Sequence, residues 1–357
     1  MPVSHDDLRA ALADLVSGPQ IKDLKETGGK VLVTLAVDVP TADKPAYADR
    51  VKQLLRDVDG VKDAFVSFAA APQQAQQAPA APQAPDSLAG VKRILAVGAG
   101  KGGVGKSTVA VNLAVALQRQ GHKVGLLDAD IYGPSAAIMT GTRDHRAQGD
   151  EHNRVVPAVR HDIRVISIAF LMPEDQSAVV WRGPMVGKMV QQLLTSVAWG
   201  ELDYLIVDLP PGTGDAVLSL SQTVPLSGAI VVTTPQDVAL LDVLKAIEMF
   251  GAVKVPVIGV VENMAGFTCP ECGHETPIFL SGAGRKAAEQ YSLPLLGSLP
   301  LDPQVPPGGD RGEPVVIEFP DGPTARAFAT IAEATHARIQ ELESGDSTAR
   351  VDFAWGS

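Results

Sequence analysis

Residues Gly100 to Thr108 read GKGGVGKST, and this stretch decides the fold. It matches the pattern G-x-x-x-x-G-K-[ST], whose glycines let backbone N–H groups point at phosphates. The strand-like run RILAVG precedes it, and the helix-like run TVAVNLAVALQRQG follows it. Because the pattern works only between a strand and a helix, both contexts agree with a phosphate-binding loop and disfavour an unspecific glycine-rich turn.

The loop predicts roles for its residues. We expect Lys106 to contact the β- and γ-phosphates of ATP as a catalytic residue, and Ser107 to ligate Mg²⁺. The nucleotide-binding set predicted from the stretch is Gly100, Lys101, Gly102, Gly103, Val104, Gly105, Lys106, Ser107 and Thr108.

Acidic residues follow two other strand-like runs. LIVDLPPGTGD places Asp208 at the carboxyl end of a strand, the usual position for an acid that holds magnesium. LLDADIYGPS places Asp128 and Asp130 directly after another strand. We predict that Asp130 is catalytic, orienting or activating the attacking water, and that it joins Asp208 and Ser107 around Mg²⁺. The alternative for Asp130 is a turn cap.

From Arg93 onward, strand-like and helix-like runs alternate. The strand-like runs are rich in valine, isoleucine and leucine: RILAVGA, KVGLLDA, IRVISIA, YLIVDL, GAIVVTT, PVIGVV and PLLGSL. Strands of this kind joined by helices imply a mostly parallel sheet that helices flank on both faces. The predicted fold class is therefore an α/β P-loop NTPase, preceded by a small α/β domain.

Composition divides the chain into segments. Residues 1–68 carry a helix-strand-helix-strand pattern, and an Ala/Pro/Gln-rich segment predicts a linker over 69–90. The ATPase domain is predicted over 91–343, with a flexible tail over 344–357. Within the ATPase domain, the polar stretch 141–160 is expected to be a solvated loop.

Charge and hydropathy disfavour some classes of partner. The formal net charge is −11, whereas a nucleic-acid-binding protein needs a basic face. No apolar run approaches the roughly 18 residues of a membrane-spanning helix, and the N-terminus lacks the apolar core of a signal peptide. We therefore expect a cytoplasmic protein with neither nucleic acid nor membrane as partner.

The chain has two cysteines, Cys269 and Cys272, in NMAGFTCPECGHETPIF. Two thiolates fill neither a tetrahedral zinc site nor a four-cysteine cluster site. A symmetric homodimer supplies the missing two, so one metal centre would lie on the two-fold axis. The open alternatives are a bridging [4Fe–4S] cluster, a structural zinc at the same axis, a site completed by His274 within one chain, and a thioredoxin-like dithiol.

The loop carries a second lysine, Lys101, directly after its first glycine and ahead of Lys106. With it, GKGGVGKST resembles the deviant Walker A motif of the MinD, ParA, nitrogenase iron protein and arsenite-pump ATPase group, while DADIYGPS and DLPPGTGD resemble its two switch regions. The resemblance implies a face-to-face dimer in which Lys101 reaches the partner's phosphates. It also implies that Asn263 reads adenine and that Pro300, in SLPLD, closes over the base. The alternatives are a solvated Lys101 and a turn-capping Asn263.

The region from Arg93 to about Glu341 resembles the Mrp/ApbC iron–sulfur cluster carriers, on MAGFTCPECG, VENM and WRGPM at Trp181–Met185. The resemblance implies a slow ATPase that holds a labile [4Fe–4S] cluster across a homodimer and passes it to apo-proteins, with an assembly scaffold as a further partner. Residues 1–68 resemble the MIP18-like domain often fused ahead of these ATPases. VPTADKPAY lacks the cysteine that relatives commonly carry there.

Three rival functions remain from the sequence. The first is a MinD- or ParA-like positioning ATPase with a structural zinc clasp, which the acidic charge and the C-x-x-C pair disfavour. The second is an electron-transfer ATPase, in which each subunit gives cysteines from separate segments. The third is a nucleotide-gated scaffold with very slow hydrolysis, because the motif alone does not distinguish nucleotide binding from turnover.

Overall fold

The structure, a computed structural model, describes residues 4–13, 15–16, 20–27, 29–35, 44–68, 86–130, 133–171, 183–212, 215–269, 271–272, 274–279 and 282–344. The chain divides into two units, Met1–Ala80 and Ala81–Ser357, and each has a hydrophobic core of its own. Most of the predicted linker, the last thirteen residues of the predicted tail, Trp181 and Arg182 lie outside the described residues.

The smaller unit places two helices against a three-stranded sheet. Its elements are α1 (His5–Leu12), β1 (Ile21–Thr27), β2 (Lys30–Leu35), α2 (Lys44–Arg56) and β3 (Asp63–Phe68). The central strand β2 pairs antiparallel with β1 and parallel with β3. The sequence pattern had predicted no strand at β1, because IKDLKET is dominated by charges. It forms an edge strand whose Leu24 is buried, and Gly29, with φ +81°, makes the tight turn into β2.

The larger unit carries the remaining elements. In chain order they are β4 (Ile94–Gly98), α3 (Lys106–Arg119), β5 (Val124–Asp128), α4 (Ala136–Met139), β6 (Gln148–Gly149), β7 (Val155–Val156), β8 (Ala158–Arg160), β9 (Ile163–Ser167), α5 (Gly183–Thr195), β10 (Tyr204–Asp208), α6 (Asp215–Thr223), β11 (Gly228–Thr233), α7 (Leu240–Ala252), β12 (Val257–Glu262), β13 (Phe267–Thr268), β14 (Glu275–Thr276), α8 (Ala283–Gln290), β15 (Leu295–Ser298), α9 (Val305–Arg311), α10 (Val315–Glu318) and α11 (Pro323–Glu343).

An eight-stranded sheet in the order β15-β12-β11-β4-β10-β5-β9-β8 forms the centre of this unit. Every neighbouring pair is parallel except β8 with β9. All seven strand-like runs of the sequence are strands of this sheet, and the predicted α/β P-loop fold is confirmed. The register pairs Asp208 with Asp128 across β10 and β5, so the two acidic strand ends lie side by side next to the glycine-rich loop.

Some local structure differs from the sequence expectation. The stretch 141–160, expected to be a loop, contains the β6–β7 hairpin and the edge strand β8. Leu88, placed in the predicted linker, is 1% exposed and packs into the core of the larger unit. Of the helices in the described ranges, none combines the length and apolar character that crossing a membrane requires.

An aromatic and charged cluster fixes α11 at the amino-terminal edge of the sheet. The Arg93 guanidinium donates two hydrogen bonds to the Glu343 carboxylate, at 2.7 and 2.8 Å, and lies over the Tyr204 ring. The Tyr204 hydroxyl and His336 Nδ1 are 2.6 Å apart, and the His122 ring stacks on His336 with centroids 4.7 Å apart. The cluster ties the start of β4 to the end of the last helix.

The stacked histidines predict a pH-dependent stability. Burial, and then the neighbouring His336, lower the pKa of His122, with Arg93 and Lys92 in the same direction and Asp203 opposed. Because the unfolded chain then binds more protons below about pH 6.5, stability present above that pH is lost as the pH falls. The free energy of unfolding of wild type and of His122→Gln is measured by urea titration at several pH values. Below about pH 6.5 that of wild type should fall relative to that of His122→Gln, by less than ~1.4 kcal/mol per pH unit. Parallel pH profiles of the two proteins would contradict this.

Candidate nucleotide and metal site

The glycine-rich loop connects β4 to α3 at the carboxyl edge of the sheet. Gly103 and Gly105 have φ of +81° and +82°, a backbone conformation that side chains with a Cβ rarely adopt. Gly105 also lies so close to the Asn263 side chain, and Gly100 so close to the Asp242 backbone, that a Cβ at either position would overlap its neighbour. The loop is therefore packed from behind by the connections that follow β11 and β12.

The loop encloses a cavity of about 210 Å³. Its walls are Lys101, Gly102, Gly103, Gly105, Lys106, Ser107, Thr108, Asp130 and Pro211. Most of the predicted nucleotide-binding residues are thus brought together, along with the predicted catalytic Asp130. Gly100 and Val104 support the loop from outside this wall, and Val104 is buried.

The Lys106 ammonium lies between two carboxylates. It is 7% exposed, donates a 2.5 Å hydrogen bond to Asp208 Oδ1, and lies 3.7 Å from Asp130 Oδ2. It also lies 3.1 Å from Ser107 Oγ. Burial raises the pKa of Asp208, and the Lys106 ion pair opposes that shift. The lysine thus neutralises a buried acidic group that would otherwise be costly to ionise.

Asp128 supports the loop that begins at Asp130. Its fully buried carboxylate accepts hydrogen bonds from the backbone N–H groups of Asp130 and Ala136, at 3.1 and 3.0 Å, and from Ser167 Oγ at 3.1 Å. Burial, and then the charge of Asp208, raise the pKa of Asp128 to about 7. One carboxylate therefore holds both ends of the connection between β5 and α4.

The donor set suits Mg²⁺. Asp130 Oδ1 and Asp208 Oδ2 are buried and have no hydrogen-bond partner among the described residues. Buried carboxylate oxygens without a partner are costly, and hard oxygen donors are the ligands that Mg²⁺ prefers. These two oxygens and the Ser107 hydroxyl would hold the ion, which would neutralise phosphate charge.

Lys101 lies on the rim of the cavity. Its side chain is half-buried and makes no hydrogen bond or ion pair with any residue that the structure describes. The ammonium is therefore not committed to a carboxylate of its own chain within those ranges, unlike that of Lys106.

Asn263 and Pro300 lie outside the phosphate cavity. Asn263 Nδ2 donates a 2.9 Å hydrogen bond to the Val104 carbonyl of the loop, and Asn263 Oδ1 accepts the Met264 N–H. Pro300 instead lines a separate cavity of about 330 Å³ that it shares with Cys269. The adenine contacts that the resemblance implied for these two residues stay predictions.

The cysteine pair lies in a turn held against the end of β15. Backbone N–H groups of Ala265 and Leu301 donate to Leu299 and Gly266, at 2.8 and 2.6 Å, and join the two connections. Beyond them β13 and β14 pair antiparallel, and the Cys269 N–H donates to the His274 carbonyl at 2.9 Å. The motif is thus placed at the same edge of the sheet as the glycine-rich loop.

Backbone groups of the turn stabilise the Cys269 thiolate. The N–H groups of Cys272 and Glu271 donate to Cys269 Sγ and lower its pKa, and the Cys272 side chain acts in the same direction. Cys272 is exposed, and both thiols are free. In the described ranges, no three histidine, cysteine, aspartate or glutamate side chains gather into a metal-binding group, and His274 joins none.

Two features of the site were not among the predicted site residues. Pro211 forms part of the cavity wall, and its signal was present, since it belongs to the DLPPGTGD run. The close packing of Asp242 behind Gly100 has no such signal, because it depends on how α7 begins.

Comparisons with known proteins identify the family of the chain. The family described as NUBPL iron-transfer P-loop NTPase, of ParA type, matches residues 90–336. An iron-sulfur cluster carrier protein of Aquifex aeolicus is 52% identical over 244 residues, which cover 68% of this chain and 67% of that protein. The iron-sulfur cluster carrier protein of Deinococcus radiodurans is 47% identical over 327 residues, covering 91% and 90%.

Solved structures agree as well. A nucleotide-binding protein of Archaeoglobus fulgidus in complex with ADP is 39% identical, with a TM-score of 0.59, and the match covers 68% of this chain and 93% of that one. The cell division ATPase MinD of Pyrococcus furiosus is 24% identical, with a TM-score of 0.52 and coverage of 69% and 98%, and shares the fold. From the family match and the carrier relatives together, this chain belongs to the iron–sulfur cluster carrier family of P-loop NTPases.

Proposed function

We propose that the protein is an ATP-dependent carrier that holds a labile [4Fe–4S] cluster between two copies of the chain and transfers it to apo-proteins. The observation that carries the proposal is the Cys269–Cys272 turn, in which both cysteines are free and at least partly exposed, at the same sheet edge as a complete phosphate loop. An assembly scaffold that supplies the cluster and apo iron–sulfur proteins that receive it are the proposed partners.

The number of cysteines argues for a shared cluster. The chain has two, and a [4Fe–4S] cluster is usually held by four thiolates. A two-fold dimer that brings together the turns of two chains provides the full ligand set. The exposed Cys272 thiol and the partly exposed Cys269 are compatible with ligands that meet a second chain.

Nucleotide binding requires Lys106 to leave its carboxylates. In the structure its ammonium binds Asp208 and lies near Asp130, whereas a phosphate-binding lysine must point into the loop. When Lys106 turns toward the β- and γ-phosphates it leaves Asp208 Oδ1 and Asp130 Oδ2, whereas Asp208 Oδ2 and Asp130 Oδ1, which have no hydrogen-bond partner among the described residues, would hold Mg²⁺. A bound Mg²⁺ would then take over from Lys106 in offsetting the charge of the two carboxylates, and Asp130 is proposed to orient or activate the attacking water as a catalytic residue.

A short path connects the nucleotide to the cysteines. The Asn263 side chain holds the Val104 carbonyl of the phosphate loop, and the same connection continues through Ala265 and Gly266 to Cys269. A shift of the loop on ATP binding would therefore move the base of the cysteine turn. We propose that this path couples the nucleotide state to cluster affinity.

Lys101 is proposed to act on the nucleotide of the partner subunit. Lys101→Ala should lower ATP turnover by about 10²–10³-fold, because a cation that neutralises transition-state charge from a second chain is lost. ATP affinity of the single chain should change little. Lys123→Ala, which removes an exposed lysine at the opposite edge of the sheet, should retain full turnover in the same assay.

Mixed dimers show whether Lys101 acts on the nucleotide of its own chain or on that of the partner subunit. Equal amounts of Lys101→Ala and Asp130→Asn chains, each inactive alone, should recover turnover if Lys101 acts across the interface. One composite site then combines the intact Asp130 of one chain with the intact Lys101 of the other. Absence of recovery, with mixed dimers present, would contradict action on the partner's nucleotide.

Cluster transfer tests the function itself. Protein reconstituted anaerobically with iron and sulfide is mixed with an apo-ferredoxin of the [4Fe–4S] class, and the acceptor is reisolated. Its iron, sulfide and electron paramagnetic resonance spectrum are then measured with and without MgATP. The proposal expects an intact cluster on the acceptor and a transfer rate that depends on MgATP. A cluster that stays on the donor in both conditions would contradict the carrier function.

A further inference from the structure

We propose that Ser167 is a positioning residue for ATP hydrolysis, which acts through Asp128 to hold Asp130 in place. The inference rests on the proposed ATP turnover and on the proposed role of Asp130, and it adds a residue that does not line the phosphate cavity. Ser167 is the last residue of β9, and its side chain is fully buried. A buried hydroxyl is costly unless it is hydrogen-bonded, so the partners of this serine indicate its role.

Ser167 lies in a row of polar residues at the carboxyl ends of three neighbouring strands. In the sheet order β10-β5-β9, the register pairs Asp128 with Asp208 on one side and with Ser167 on the other. Asp208 forms its ion pair with Lys106. Asp128 accepts hydrogen bonds from uncharged groups, namely two backbone N–H groups and the Ser167 hydroxyl. The serine therefore supports Asp128 on the side of β5 that lies opposite to Asp208.

The Ser167 hydroxyl ties the connection between β5 and α4 to the sheet. Its oxygen accepts the Ala169 N–H at 3.2 Å, and its own O–H donates to Asp128 Oδ2 at 3.1 Å. The other two donors to Asp128 are the N–H groups of Asp130 and Ala136, which lie at the two ends of that connection. Ser167 itself belongs to a strand, so the carboxylate joins a mobile kind of element, a loop, to a fixed one.

The carboxylate transmits this orientation to the proposed catalytic residue. Asp128 Oδ1 accepts the Asp130 N–H at 3.1 Å, while Oδ2 is shared by Ser167 and Ala136. Rotation of the carboxylate would therefore displace the backbone of Asp130. Because hydrolysis depends more steeply than binding on the placement of a group that orients water, loss of the hydroxyl should lower the rate of hydrolysis and leave ATP affinity almost unchanged.

Single-turnover hydrolysis separates the chemical step from nucleotide binding. Full-length wild type, Ser167→Ala, Ser167→Thr and the control Ser227→Ala are each mixed, in excess, with radiolabelled ATP, and Mg²⁺ starts the reaction. Ser227 is a matched control, because its hydroxyl accepts the Ile94 N–H at 3.2 Å at the amino-terminal edge of the sheet. For Ser167→Ala we expect a rate about 10-fold lower or more, with the ATP Kd within about threefold of wild type.

The other two variants distinguish positioning from a structural role. Ser167→Thr keeps the hydroxyl and should recover most of the rate, and Ser227→Ala should hydrolyse ATP at the wild-type rate. The stoichiometry of ATP binding gives the folded fraction of each variant, and the rate is expressed per folded chain. A serine that only stabilises the fold would lower the folded fraction and leave this rate unchanged, which would overturn the proposal.

A double-mutant cycle shows whether Ser167 acts through Asp128. Asp128→Ala removes the carboxylate, so the addition of Ser167→Ala should then lower the rate by less than about twofold further. Losses that multiply in the double variant would overturn the proposal, since the serine would act by another route. The cycle also decides the matter if the extra methyl group of threonine does not fit the buried position.

The wild-type rate keeps this inference separate from the function on which it rests. Hydrolysis by wild type and an equal rate for Ser167→Ala would overturn the role of Ser167 alone. A wild type that binds ATP and does not hydrolyse it would contradict the proposed turnover itself, and with it the role of Ser167.

Discussion

Cys269→Ala should remove the cluster from reconstituted protein while leaving ATP binding intact. Hydrogen bonds from the backbone N–H groups of Cys272 and Glu271 lower the pKa of Cys269, which favours the ionised form that binds metal. Without Cys269, a dimer offers half of the four thiolates, and iron and sulfide per dimer should fall from a full [4Fe–4S] complement to near background. ATP affinity should stay within about twofold of wild type, since Cys269 does not line the phosphate cavity.

Thr276→Ala is the matched control for this variant. Thr276 is exposed in β14 of the same hairpin and carries no ligand atom of the proposed site. It should bind a full cluster, which separates loss of the thiolate from damage to the turn. A stoichiometric cluster retained by Cys269→Ala would exclude the bridging arrangement.

Lys106→Ala should lower ATP turnover by about 10²–10³-fold, because the cation that contacts the phosphates is removed. The structure adds a second effect. Asp208 is fully buried and its 2.5 Å partner is lost, so unfolding free energy without nucleotide should fall by up to about 3 kcal/mol. ATPase rates and urea titrations at neutral pH measure the two effects independently.

The double variant Lys106→Ala/Asp208→Asn separates these effects. Asparagine carries no charge, so the stability should return toward wild type, whereas turnover should remain lost. Lys123→Ala should change neither quantity. Turnover of Lys106→Ala near the wild-type rate would contradict the phosphate role, and undiminished stability would contradict the importance of the Lys106–Asp208 ion pair.

The sequence predicts the sheet and the phosphate loop because both depend on local patterns. Strands rich in valine, isoleucine and leucine are buried on both faces, and the spacing of glycine and lysine around Lys106 is specific to one kind of loop. The sequence does not predict the edge strand β1, since IKDLKET lacks an apolar run and is held by hydrogen bonds to β2. Strand pairing of that kind is decided by the neighbouring strand.

Within the site, the sequence predicts which residues lie close together but not which side chains contact one another. Lys106 was expected on phosphate, and without nucleotide its nearest partner is Asp208, from a distant strand brought close by the sheet order. The adenine contact of Asn263 stays a prediction, and the hydrogen bond from its amide to the Val104 carbonyl could not be foreseen from the sequence. The sequence also does not predict that Leu241 is exposed, because PQDVALLDV is typical of the start of an amphipathic helix whose leucines are buried.

The mass of the reconstituted assembly tests the central claim most directly. The full chain is loaded anaerobically with iron and sulfide and analysed by native mass spectrometry, with Cys272→Ala treated in parallel. We expect a species of two chains plus one [4Fe–4S] cluster in wild type and no cluster-bearing species in the variant. A cluster on a single chain, or two chains that hold only zinc, would contradict a cluster shared between two copies.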